Sequence, residues 1–167
     1  EGGWPRLAVL FAARDEEGSV EAATRSMLAQ DYPDLEVIAV DDRSADATGA
    51  ILDRLAAEDA RLRVIHVREL PDGWLGKTHA LQRAATASDA PWLLLTDADV
   101  VFTPTALRRA VAFAERAGAD HVTVAPEVPT EGVFERVVLA MFDAAFAVGF
   151  PVWRVEDERR RTPLGVG

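Results

Sequence analysis

"PWLLLTDADVV" (residues 91–101) is an apolar run that stops on two aspartates separated by one alanine. Its length and continuity predict a buried strand over 91–96. Asp97 and Asp99 then stand at the carboxyl end of that strand, where their mutual repulsion has to be managed. The pattern occurs twice more. "LAVLFAA" (7–13) runs into "RDEE", and "LEVIAVDD" (35–42) runs into "RSADAT".

Helical spacing fills the intervals. "EEGSVEAATRSMLAQ" (16–30) puts Val20, Ala23, Met27 and Leu28 on one face, with acids in its first turn. "SADATGAILDRLAAEDA" (44–60) opens at Ser44, a good helix cap, and aligns Ile51, Leu52 and Leu55. "LRVIHV" (62–67) is a third strand, "GKTHALQRAATA" (76–87) a helix, and "HVTVAP" (121–126) a fifth strand. "TPTALRRAVAFAERAG" (103–118) has proline near its start and glycine at its end. The alternation predicts an α/β fold, with a mostly parallel sheet flanked by helices. Ligands of such sheets bind outside the carboxyl ends of the strands, so all three acidic clusters fall on one rim.

The 167 residues are about one domain's worth, and 49% are hydrophobic, enough for a real core. The net charge of −10 argues against nucleic acid as a partner, and an anionic substrate would need a positive group between it and the protein. With no cysteine, disulfides, thiolate metal sites and cysteine nucleophiles are excluded. That composition fits a reducing cytoplasm. No signal peptide is evident at the start, and no apolar run reaches the ~18 residues of a membrane span.

Hard oxygen ligands one residue apart, as in Asp97 and Asp99, suit Mg²⁺ or Mn²⁺, which draws its remaining ligands from water and substrate phosphates. Asp42 is placed either to form a turn or to accept hydrogen bonds from a nucleotide base or ribose. Lys77, the only lysine, sits between Gly76 and Thr78 at a helix start, where it can meet phosphate oxygens. "GKT" is not a P-loop, because Pro71 stands where that motif needs glycine. "DADVV" also fits a haloacid-dehalogenase-type phosphatase, but no lysine follows Lys77 to complete such a site. His79 has no second histidine at ligand spacing and reads as a packed or solvent-facing residue.

Taken in order, "AARDEE", "VDDRSADAT", "GWLGKTHAL" and "LLLTDADV" resemble the family 2 glycosyltransferases across about residues 7–128. "LPDGWLGKTHAL" looks most like their membrane-associated branch, which includes hopene-associated and ceramide-glucosyltransferase-like enzymes. The resemblance implies a Rossmann-like GT-A domain that binds a nucleotide sugar. It implies that Ala13, Arg14 and Glu16 line the nucleotide pocket, that Asp42 meets uracil, and that Lys77 meets the nucleotide or its phosphates. Asp97 would lie by the ribose and metal, and Asp99 would hold Mn²⁺ or Mg²⁺. The implied reaction is inverting transfer of a sugar, from a UDP-sugar in the first instance, to a hydroxyl acceptor. Ala12 and Asp15 depart from the family's usual proline and asparagine. The family's base and acceptor motif are not recognisable; Glu156 and Asp157 in "VEDERRR" (155–161) come too soon and read as a solvated loop. The base is therefore expected beyond Gly167. Residues 1–128 read as the donor-binding core and 129–167 as the start of a truncated acceptor or membrane-side region. A sugar-nucleotide pyrophosphorylase would begin with a glycine-rich basic loop, which "LFAARDEEGSV" lacks. A non-catalytic nucleotide-binding module is the other reading.

"VFERVVLAMFDAAFAVGFPVW" (133–153) is apolar but interrupted by Glu135, Arg136 and Asp143, and Pro151 ends it. Val137, Val138, Met141, Phe142, Ala145 and Phe146 share a helical stripe, followed by Trp153 and Arg159–Arg161. The pattern fits a soluble core helix or, with the resemblance, a segment lying on the cytoplasmic face of a bilayer and serving a lipid acceptor. In isolation it would be loosely held or paired in a homodimer.

Overall fold

The computed structural model describes residues 3–124, 126–130 and 132–149, which divide into two compact units with the break after Asp120. The first unit is built on strands β1 (Leu7–Ala13), β2 (Leu35–Asp42), β3 (Leu62–Val67) and β4 (Trp92–Asp97). Helices α1 (Val20–Leu28), α2 (Thr48–Glu58) and α3 (Gly76–Thr86) join consecutive strands, and α4 (Ala106–Ala117) follows β4. The sheet is wholly parallel in the order β3-β2-β1-β4. The expected α/β architecture is therefore observed, with each strand of the first three matching its expected span.

The continuous apolar run of β1 follows from burial on both faces. Leu7, Val9, Phe11 and Ala13 point into a core with Val20, Ala23 and Met27 of α1, Leu52 and Leu55 of α2, and Leu107 and Val111 of α4. Ala8 and Leu10 point the other way, onto Ala80 and Ala84 of α3 with Ile38 and Val40 of β2. Alanines on α3 let that helix lie close over β1 and β2. α4 ends at Gly118, whose left-handed backbone (φ +61°) closes the helix as its position predicted.

Two expectations need correction. β4 is not buried on both faces: it is an edge strand, and Leu95 is 58% exposed. The physical reason is coverage, since α3 spans β1 and β2 on that face and no other helix of the first unit packs there. The fifth strand is also missing: the described residues of 121–126 form no ladder. An alternating pattern selects the face a strand would bury, but a strand exists only with a hydrogen-bonded partner.

The second unit contains α5 (Val133–Gly149). Its apolar residues are largely exposed, Val137, Val138, Met141 and Phe142 among them, and the rings of Phe142 and Phe146 stack at 6.4 Å. No helix among the described residues is long and apolar enough to cross a membrane. Pro151, Trp153, Glu156, Asp157 and Arg159–Arg161 lie outside the described residues.

At the end of β2, Asp41 is buried beneath the following loop. Burial alone would raise its pKa, but hydrogen bonds from Ser44 and His66 outweigh it and hold the carboxyl below its usual range. His66 contacts Asp41 through Nδ1 and Asp53 through Nε2, each at 2.9 Å. The contact with Asp41, then that with Asp53, raises the imidazole pKa. The imidazolium therefore stabilises the fold below about pH 6.5, and this is lost as pH rises through the raised value. The Asp41 contribution is present above about pH 3.8 and is lost as pH falls through the depressed value. The Tm gap between wild type and His66→Gln is expected to be widest between about pH 4 and 6.5 and to narrow as pH rises through the raised imidazole value. Thermal unfolding across that range checks it.

Candidate functional site

The sheet reverses its strand order at β1, which lies between β2 and β4. Open parallel sheets bind ligands at such a point, beyond the carboxyl ends of the strands. A cleft of about 550 Å³ opens there. The register puts Ala13 opposite Asp41 and Ala12 opposite Asp97. Two alanines on the central strand thus leave a low floor between the acidic ends of its neighbours.

All seven residues singled out from the sequence line this one cleft: Ala13, Arg14 and Glu16 after β1, Asp42 at the end of β2, Lys77 at the start of α3, and Asp97 and Asp99 at the end of β4. The sequence reading missed Arg43, Leu70, Trp74 and Leu75, which also line it. Arg43 was legible only as part of a turn. It adopts a left-handed backbone (φ +61°) and clamps Asp42 through Nε at 2.9 Å and Nη2 at 3.1 Å. Trp74 stands edge-on to His79, whose buried ring packs as expected and whose Nδ1 has no hydrogen-bond partner among the described residues.

The loops after β1 and β2 are tied to each other. The amides of Asp15, Glu16 and Glu17 donate to Ser44 Oγ, Thr48 Oγ1 and Asp46 Oδ2 at 3.1, 2.8 and 3.0 Å. In return Ala45 N donates to Asp15 Oδ1 at 2.7 Å and Ala47 N to Glu17 Oε2 at 3.0 Å. Ser44 is therefore not the cap of α2. That helix begins at Thr48, because the polar side chains of 44–48 are used across the loops. The same demand shortens α1, which begins at Val20 rather than near Glu16.

The acids differ in how they are neutralised. Asp42 is 4% exposed and its two oxygens are both engaged by Arg43. Lys77 Nζ donates to Asp97 Oδ1 at 2.6 Å, with both side chains about half exposed. Asp99 is exposed and, among the described residues, has no hydrogen-bond or ion-pair partner. α3 is seated by Gly76: a Cβ there would come within 2.5 Å of Asp42 Oδ2 and 2.9 Å of Arg43 Nη2. Gly76→Ala is expected to leave the protein folded, cost about 1–3 kcal/mol and move the first turn of α3. Denaturant unfolding and amide chemical shifts at Lys77 and Thr78 would check both effects.

Comparison with known proteins gives this site its context. The family model for "Glycosyl transferase family 2" matches residues 8–162. The succinoglycan biosynthesis protein ExoO of Rhizobium meliloti is 34% identical over 115 residues, 69% of this chain and 31% of that protein. The beta-monoglucosyldiacylglycerol synthase of Synechocystis sp. is 31% identical over 112 residues, 66% of this chain and 23% of that protein. The chain thus spans under a third of the length of these curated relatives. A mannosyltransferase from Pyrobaculum calidifontis, solved with GDP-Man and Mn²⁺, superposes with a TM-score of 0.60 at 30% identity, covering 66% of this chain and 32% of that one. TarS of S. aureus, solved with UDP-GlcNAc, shares the fold at a TM-score of 0.60 and 24% identity, covering 75% of this chain and 37% of that one. A match over nearly the whole sequence, and a parallel sheet whose solved neighbours are GT-A glycosyltransferases, lead to one conclusion: this chain belongs to glycosyltransferase family 2.

Proposed function

We propose that the chain is the donor-binding part of an inverting glycosyltransferase that takes a sugar from a nucleoside diphosphate sugar, a UDP-sugar in the first instance, to a hydroxyl acceptor. The observation that carries this is the convergence of Asp42, Lys77, Asp97 and Asp99 on one cleft at the reversal point of the sheet. The mannosyltransferase solved with GDP-Man and Mn²⁺ supports a nucleotide sugar donor and a divalent cation.

The donor set fits such a cation. No group of three or more acidic or histidine side chains converges as a ready-made cage among the described residues. Asp99 has no protein partner among them, and Lys77 engages one oxygen of Asp97. Two hard oxygen donors, with water and diphosphate completing the shell, suit Mg²⁺ or Mn²⁺. Asp99 and Asp97 would hold the ion, which when bound supplies Lewis-acid stabilisation of the leaving diphosphate. Lys77 adds charge on the phosphate side, and Asp42, fixed by Arg43, presents a rigid polar wall for the nucleoside. Catalysis then requires a base from outside the described residues.

UDP at about 100 times its Kd should stabilise the domain by about 2.7 kcal/mol, or about 5–10 °C in Tm, and only with Mn²⁺ or Mg²⁺ present. Asp99→Asn should keep the unliganded Tm and lose the metal-dependent shift. Thermal-shift titration with UDP and GDP measures this. The absence of a metal-dependent shift with either nucleotide, or its persistence in Asp99→Asn, would overturn the assignment.

The acceptor side of the proposal is a lipid at a membrane surface. The exposed apolar face of α5 supports it, as does the name of the Synechocystis relative, a diacylglycerol-lipid synthase. Wild type is expected to co-sediment with anionic liposomes, and a variant with Phe142 and Phe146 changed to serine to lose at least half of that binding. Equal binding by the two would count against it.

A further inference from the structure

We propose that Lys77 is the resident counter-ion of the acidic pair, and that it is exchanged for the divalent cation when a nucleoside diphosphate binds. This rests on the donor-site reading above and adds an order to it. The ammonium occupies Oδ1 of Asp97 at 2.6 Å. A cation entering alone would have to share Asp97 with that positive charge. A diphosphate entering with it offers Lys77 a second anion and frees the carboxylate.

Three features make Lys77 an exchangeable ion and not a fixed one. Both partners are about half exposed, and pairs of that kind shift an equilibrium by at most about fivefold. The residue type is the second. This is the only lysine of a chain whose other cationic side chains at the cleft are arginines. Arg43 shows what an arginine does here: it grips both oxygens of Asp42 at once. A lysine makes a compact, single-point contact on a flexible stem and can let go. The third feature is its root. Gly76 packs α3 directly against the Asp42–Arg43 pair, so the backbone before Lys77 is held while its head group is free to swing.

Asp99 completes the logic. It is the acid left without a protein partner among the described residues, so it can make the first contact with the cation. Asp97 joins only after Lys77 leaves. Cation and diphosphate are then coupled through this chain, beyond the chelation they show in solution, and the coupling is reciprocal.

The test is Mn²⁺ binding, read from the EPR signal of free Mn²⁺, for wild type, Lys77→Gln and Arg83→Gln, each with and without UDP. A protein-free titration accounts for the Mn²⁺–UDP complex. Lys77→Gln is expected to bind Mn²⁺ alone about two- to fivefold more tightly than wild type. With UDP present it should bind Mn²⁺ less tightly than wild type, so the factor by which UDP tightens Mn²⁺ shrinks. Arg83→Gln removes the same charge from the same helix, on its exposed last turn and away from the cleft, and should leave Mn²⁺ binding in the absence of UDP within about twofold of wild type. Lys77→Gln binding Mn²⁺ alone no more tightly than wild type would overturn the exchange while leaving the donor site standing. So would an equal gain in Arg83→Gln, which would assign the effect to net charge. Wild type that fails to bind Mn²⁺ even with UDP would overturn the donor-site reading itself.

Discussion

Five hydrogen bonds between the loops that follow β1 and β2 set the shape of the cleft. Each loop donates backbone amides to side chains of the other, so neither can hold its conformation alone. Asp15 takes a left-handed backbone (φ +55°) in this exchange, a conformation that aspartate tolerates better than most residues. The cost is visible in the helices. α1 and α2 both begin later than their sequences allow, because the residues that would form their first turns are used to join the loops. What this secures is a fixed wall, on which Arg14, Glu16, Asp42 and Arg43 keep their places at the cleft.

The rim carries more acid than a protein surface tolerates without partners, and the structure neutralises it in graded fashion. Asp41 is buried and bonded to His66. Asp42 is buried and clamped by Arg43. Asp97 is half exposed and shares a single contact with Lys77. Asp99 is exposed and unpartnered among the described residues. Buried pairs are costly to break because a lone charge would be left out of water, whereas exposed pairs are nearly neutral in energy. The sequence of acids along the rim therefore runs from architectural to exchangeable, and the exchangeable end lies at the edge strand.

That edge also explains where pattern reading went astray. "PWLLLT" has the continuous apolar character of a strand covered on both faces, yet Leu93 and Leu95 are exposed. Apolar character reports the demand for burial; coverage is supplied by whichever helices the topology places there. Segment 121–126 fails for a related reason, since its alternation has no described strand to pair with.

The sequence by itself determined a good deal. Strand-length apolar runs alternating with helical stripes dictated the parallel sheet, because only such a sheet buries both faces of strands like β1. Acids placed directly after three of those runs had to share a rim, because parallel strands end on the same side. Hence Asp42, Asp97 and Asp99 were legible as a set, Lys77 came from its place at a helix start, and Ala13, Arg14 and Glu16 came only from the resemblance to the family. What tertiary structure alone decided is which charges meet. Lys77 and Asp97 are twenty residues apart, Arg43 follows β2 whereas Gly76 opens α3, and His66 reaches Asp41 from the neighbouring strand. No local periodicity encodes those distances. They follow from strand order and from the close seating of α3, and so they appear only when the chain is folded.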